Sequence, residues 1–185
     1  MRFILTCLLG LFTGVVQSST LESTPKSIGS QLNQLYAEVV TSFSQLDIER
    51  LSSVYDENVI YLPDHKSSKI IQGKHNVTLD YQRYFNRLKQ KQVQVEVGFR
   101  LTHRDITPER VTDVGYYLIR YHPAKQTEQP ISEFASKFMI ISKPDQNGDW
   151  HWLMEMNDTT KSENYHQATS TPSLFFSNTE KLGKQ

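Results

Sequence analysis

The residue with the most capacity for chemistry is a carboxylate set in an alternating strand. In the segment from Trp150 to Asn157, alternation puts Trp150, Trp152, Met154 and Met156 on one face. His151, Leu153, Glu155 and Asn157 fall on the other. Removed from water, Glu155 would have its pKa raised by desolvation unless a cation such as Lys137 or Arg120 pulled it back. A raised carboxyl can serve as general acid or base. The same group could equally form a structural ion pair or end a strand in water. His151 shares the face, but four residues along a strand span roughly 13 Å, too far for a dyad.

Other chemistries have less support. The six histidines (His65, His75, His103, His122, His151, His166) form neither His-x-His nor His-Glu-x-x-His, so no metal site is expected. There is no Gly-x-Ser-x-Gly, and the isolated glycines make no phosphate-cradling loop. No cofactor is implied.

The N-terminus reads as a signal peptide over residues 1–19: Arg2, an apolar run from Phe3 to Val16, then the small-residue site Val16-Gln17-Ser18. The run is too short for a membrane span of about 20 residues. Cleavage would remove Cys7, the only cysteine, so disulfides and thiol catalysis are excluded from the mature chain. It would also remove Arg2, leaving 19 of 20 basic residues against 20 acidic, a net charge of −1. That balance makes no case for nucleic acid or for an anionic membrane after cleavage. An exported protein, periplasmic or secreted, is expected.

The elements that must position Glu155 follow in order. After a leader (residues 20–27) containing Thr24-Pro25, a helix start signal, Leu32, Tyr36, Val39, Val40 and Phe43 recur at spacings of three and four. Asp47 caps a short second helix ending at Tyr55. A strand from Asn58 stops at Pro63, and Gly73 opens a third helix with the stripe Val77, Tyr81, Tyr84, Phe85 and Leu88. From residue 92 the period is two: Val93, Val95, Val97, Phe99 and Leu101 alternate with a face expected to be wet. Gly115 inside the next strand (residues 111–122) marks a bulge or bend. A hairpin over residues 131–160 turns at Lys143-Pro-Asp-Gln-Asn-Gly-Asp149. Residues 161–185 read as a flexible polar tail, with Leu174-Phe175-Phe176 able to clip onto an apolar groove. The fold class is α+β, with three N-terminal helices packed on a strongly curved antiparallel sheet.

That order, with residues 40–55 and 58–73 and the segments Ser136-Lys-Phe, Gly148-Asp-Trp150 and Glu155-Met-Asn, resembles the nuclear transport factor 2-like superfamily, which includes SnoaL-like and ketosteroid-isomerase-like domains. The resemblance covers residues 28–160. It implies a cone in which His151, Leu153, Glu155 and Asn157 face the hollow beside Phe134, Ser136, Tyr117 and Leu62. It also implies a homodimer, here through the Trp150, Trp152, Met154 and Met156 face, a plausible interface. By the same resemblance Leu62 stands where ketosteroid isomerases carry a general base. Ser136 stands where they carry a protonated aspartate, and Val39 where they carry a tyrosine. A leucine can neither take nor hold a proton, which argues against that reaction.

The expectation is therefore an exported SnoaL-like protein, more a binder than an enzyme, holding a small, mostly apolar ligand by Glu155, Ser136 or Tyr117. One alternative is a cofactor-independent isomerase, cyclase or dehydratase using Glu155 for proton transfer. Another is a dimeric structural or partner-binding module.

Overall fold

The computed structural model describes residues 27–64, 69–169 and 172–178. The expected signal peptide, most of the leader and the Thr24-Pro25 start signal lie outside the described residues. The first helix, α1 (Ile28–Gln45), is capped by the Ser27 hydroxyl, which accepts from the Ser30 amide, and buries Leu32, Tyr36, Val39, Val40 and Phe43. Leu46 closes it in the left-handed region at φ 52°, turning the chain into Asp47. The Asp47 carboxylate then accepts from the Arg50 amide to start α2 (Ile48–Val54). β1 (Tyr55–Leu62) and β2 (Ile71–Gln72) follow, and Gly73, at φ 83°, opens α3 (Lys74–Gln90).

Four long strands complete the hollow: β3 (Gln94–Ile106), β4 (Val111–His122), β5 (Ser132–Pro144) and β6 (Trp150–Thr160). After them come α4 (Ser162–Gln167) and β7 (Phe175–Ser177). The sheet order is β2-β1-β6-β5-β4-β3-β7, with β1 and β6 parallel and every other pair antiparallel. The main core, between the three N-terminal helices and the inner sheet face, joins Tyr36, Phe43, Leu51, Phe85, Phe99, Phe138 and Trp152. Each such side chain contributes about 1.5–3 kcal/mol on burial.

Two irregularities shape the sheet. The β3–β4 ladder slips between Leu101 and His103, opposite Gly115. A Cβ on Gly115 would lie 2.2 Å from the Arg100 carbonyl oxygen, so the backbones approach there as only glycine allows. In the β5–β6 ladder Ile141 pairs with Met154 and Ser142 with Trp152. Leu153 is thus an extra residue that reverses the facing of the strand on either side of it.

Of the segment expected to be a flexible tail, residues 161–169 and 172–178 are built into the fold. β7 pairs with β3 over Gly98 to Arg100, and the Asn178 side chain accepts from the Val97 amide and donates to the Val95 carbonyl. Phe176 stacks on Tyr36, centroids 4.9 Å apart. On the outer sheet face, Tyr165 of α4 is fully buried with Leu118 and Ala135. The expected wet face of β3 is covered there too. Arg100 is 6% exposed, its guanidinium 4.7 Å from the Tyr165 ring centroid and donating to the His166 and Ala168 carbonyls.

Candidate functional site

The helices and the curved sheet enclose a cavity of about 440 Å³. Val39 and Phe43 of α1, Tyr81 and Tyr84 of α3, and Phe99, Tyr117, Ile119 and Phe138 of the sheet supply its walls. Half-buried Asp64 and Asp80 and exposed Arg87 also line it and form its polar rim. At its foot are Trp152, Glu155 and Asn157, all on β6. The extra residue Leu153 makes this possible, because Trp152 and Glu155 are three apart and would otherwise face opposite sides.

Glu155 is 5% exposed. Its carboxylate accepts from the Tyr55 hydroxyl at 2.7 Å, the Asn157 amide at 2.7 Å and the Tyr81 hydroxyl at 3.3 Å. All three donors are neutral. Burial pushes the carboxyl above the ordinary glutamate range, the hydrogen bonds from Tyr55, Asn157 and Tyr81 oppose the shift, and the Asp64 charge adds to it. The Tyr55 and Tyr81 hydroxyls are pushed well up, first by burial and then by the Glu155 charge, so both remain donors at neutral pH. Neither expected cation is near. Lys137 pairs with Asp158, and Arg120 with Glu96 and Glu133.

The raised carboxyl has a consequence for stability. Its contribution is full below the unfolded value, near 4.5, and is lost as pH rises through the higher folded value. Glu155→Gln should therefore gain stability relative to the parent protein as pH is raised from 4.5 to about 8. Urea unfolding of both proteins across that range measures the gap. Asp56 titrates the opposite way: burial pushes it up, but the Asn58 amide and Lys143 outweigh that and hold it low. Asp56 is common to both proteins and cancels in the difference. A gap that does not change with pH would contradict the burial described here.

Of the residues singled out from the sequence, Glu155, Asn157, Tyr117 and Phe134 lie on the cavity wall. Tyr117 donates to the Asp64 carboxylate at 3.2 Å. Ser136 is fully buried on the same β5 face as Phe134 and Phe138, but it sits behind the wall, its hydroxyl donating to the Lys137 carbonyl. Three others are not brought to the cavity. Leu153 is the half-buried bulge residue. His151 points away, with Nδ1 3.1 Å from the Ser53 carbonyl and Nε2 3.7 Å from Asp145. On β1 it is Tyr61, paired with Glu155, that faces inward, so Leu62 is turned from the hollow.

The expected outer tryptophan face does not exist. Trp150 is 5% exposed beside Leu32 and Val111, and Trp152 is 2% exposed in the main core. Of the four residues proposed as a subunit interface, only Met156 is exposed. Tyr55 and Tyr81, the donors to Glu155, stand in the sequence at the end of the second helix and in the stripe of the third, positions that mark neither as a partner of the carboxylate.

No protein-family model matches the sequence, and no curated protein matches it significantly. Solved structures do match in shape. A nuclear transport factor 2-like protein with a cystatin-like fold from Novosphingobium aromaticivorans superposes with a TM-score of 0.56 at 12% identity, covering 71% of this chain and 80% of that one. A ketosteroid isomerase-like protein from Erwinia carotovora atroseptica gives 0.52 at 9% identity, covering 71% and 93%. A type 2 hexachlorocyclohexane dehydrochlorinase gives 0.55 at 13% identity, covering 71% and 84%. Helix order, curved sheet and these superpositions agree: the chain has the fold of the nuclear transport factor 2-like superfamily.

Proposed function

We propose that this protein binds a small, mostly apolar molecule in its cone, with the ligand's polar group held at Glu155. The observation that carries this reading is a 440 Å³ cavity walled by aromatic side chains with one buried carboxylate at its foot. Its volume lies within the usual range for ligand sites, about 300–1,000 Å³, and a few polar groups converging in an apolar hollow are what fix orientation in such sites. The apolar N-terminal segment supports export of the mature chain.

The test is retention. The purified protein is incubated with a mixed metabolite extract, desalted and analysed by mass spectrometry beside Val39→Phe, which fills the hollow from α1. A compound held by the parent protein and lost from the variant supports the reading. Identical, empty spectra at every extract concentration would overturn it.

A second reading rests on the raised Glu155 carboxyl, which suits proton transfer next to a carbonyl in a cofactor-independent isomerase, cyclase or dehydratase. The fold shared with a dehydrochlorinase is compatible with it. On any substrate so found, Glu155→Gln would remove turnover while leaving the fold intact.

A further inference from the structure

Two other carboxylates are buried among the described residues, and each has a cation. Asp113, 1% exposed, is paired with Arg104, and Asp56, 9% exposed, is paired with Lys143. Glu155 is buried as deeply and makes no ion pair with any described residue; its three partners are neutral. A buried charge without a countercharge is costly, and a ligand able to supply the countercharge gains what the protein lacks.

The walls suit the same kind of guest. Eleven of the lining side chains are aromatic, and Tyr55, Tyr61, Tyr81 and Trp152 stand around the carboxylate with centroids 5.6–6.2 Å apart. Aromatic faces carry negative potential and attract an enclosed cation, by about 2 kcal/mol or more where it is desolvated. One acceptor is left unpaired as well. The Asn157 Oδ1 atom is buried on the wall with no hydrogen-bond partner. With Glu155 ionised its orientation follows, because exchanging the amide atoms would set oxygen against the carboxylate that Nδ2 now donates to. The Trp152 indole N–H is likewise buried and unpartnered, and seeks an acceptor.

We propose that the cavity takes an organic cation: a protonated primary or secondary amine on an apolar body. Its ammonium group sits at Glu155, donates a further N–H to Asn157 Oδ1, and is enclosed by the tyrosine and tryptophan rings. An oxygen on the body would answer the Trp152 indole N–H. This deepens the ligand-binding reading and rests on it. A carboxylate-bearing ligand is disfavoured at the foot of the cavity because it would meet Glu155 with no cation between them.

The test compares three molecules of one shape, 3-phenylpropylamine, 3-phenylpropanol and 3-phenylpropionate, by calorimetry and tryptophan fluorescence at neutral pH. The amine should bind at least about ten-fold tighter than the alcohol, with the propionate weakest. Glu155→Gln should weaken the amine by about ten-fold or more and leave the alcohol within about two-fold. Should that variant fail to fold, the ranking on the parent protein still decides. An alcohol binding as tightly as the amine, a tighter propionate, or an amine indifferent to Glu155→Gln overturns the cation and leaves the ligand-binding reading standing. No binding of any of the three overturns the cation as well; joined to empty retention spectra it ends both.

Discussion

Trp152→Ala is expected to lower the unfolding free energy by about 3 kcal/mol, at the lower end of the range of about 3–5 kcal/mol for truncating a buried tryptophan. The indole is 2% exposed, and its ring lies 5.3 Å from Tyr36 and 5.9 Å from Tyr55, so truncation removes contacts with α1 and with the start of β1 together. The lower end applies because one side of the ring already borders the cavity, where there are fewer neighbours to lose. Urea unfolding followed by far-ultraviolet circular dichroism measures it. A loss under about 1 kcal/mol would place the indole at the surface, where alternation alone had put it. Trp152→Glu, which that alternation would make a dimer-breaking variant, should instead prevent folding, since it sets a charge in the main core.

The tryptophan shows where the sequence could be read and where it could not. Period-two alternation located β3 and β6, and runs of strand-forming residues between turn clusters located β4 and β5, with β4 bounded at Val111–His122 as expected. Asp47 and Gly73 marked helix starts because capping and positive φ demand particular residue types. The bulge at Leu153 left no such mark. An extra residue in a strand is defined by its pairing with the neighbouring strand, and leucine is as compatible with a regular strand as with a bulged one. Alternation read through the bulge thus turned both tryptophans outward, although Glu155 and Asn157, beyond it, keep the inward facing expected of them.

The site's remaining partners were hidden by distance along the chain. Tyr55 and Tyr81 lie 100 and 74 residues from Glu155, and their hydroxyls converge only once α3 packs over β1 and β6. Local periodicity says that such residues are buried and not what they touch. The C-terminal segment was legible only in part: Leu174-Phe175-Phe176 stood out as able to clip onto an apolar groove, and Leu174 and Phe176 do pack on the main core. Its composition is polar, and what anchors it is a few side chains, Tyr165, Phe175 and Phe176, meeting Arg100 and Tyr36. Three aromatic anchors are too few to raise a compositional signal, yet enough to cover one edge and part of the outer face of a sheet.

Arg104→Met is expected to destabilise the fold by about 3–5 kcal/mol. Arg104 grips Asp113 with two parallel hydrogen bonds, 2.6 and 2.9 Å, and its third nitrogen donates to Asn33 of α1. The side chains are 6% and 1% exposed. Tyr36 also donates to Asp113 at 3.0 Å, so the carboxylate joins α1 to the β3–β4 pair. With the guanidinium gone, Asp113 keeps a single neutral donor in a site closed to water, and an uncompensated buried charge costs more than the pair contributed. The cost should therefore fall when the second charge is also removed: Arg104→Met with Asp113→Leu is expected to be more stable than Arg104→Met alone. Urea unfolding of the three proteins at neutral pH gives the ordering. If the double variant proved the less stable, the network would be a net contributor through its geometry, and the penalty for stranding a charge would not be what holds α1 against the sheet.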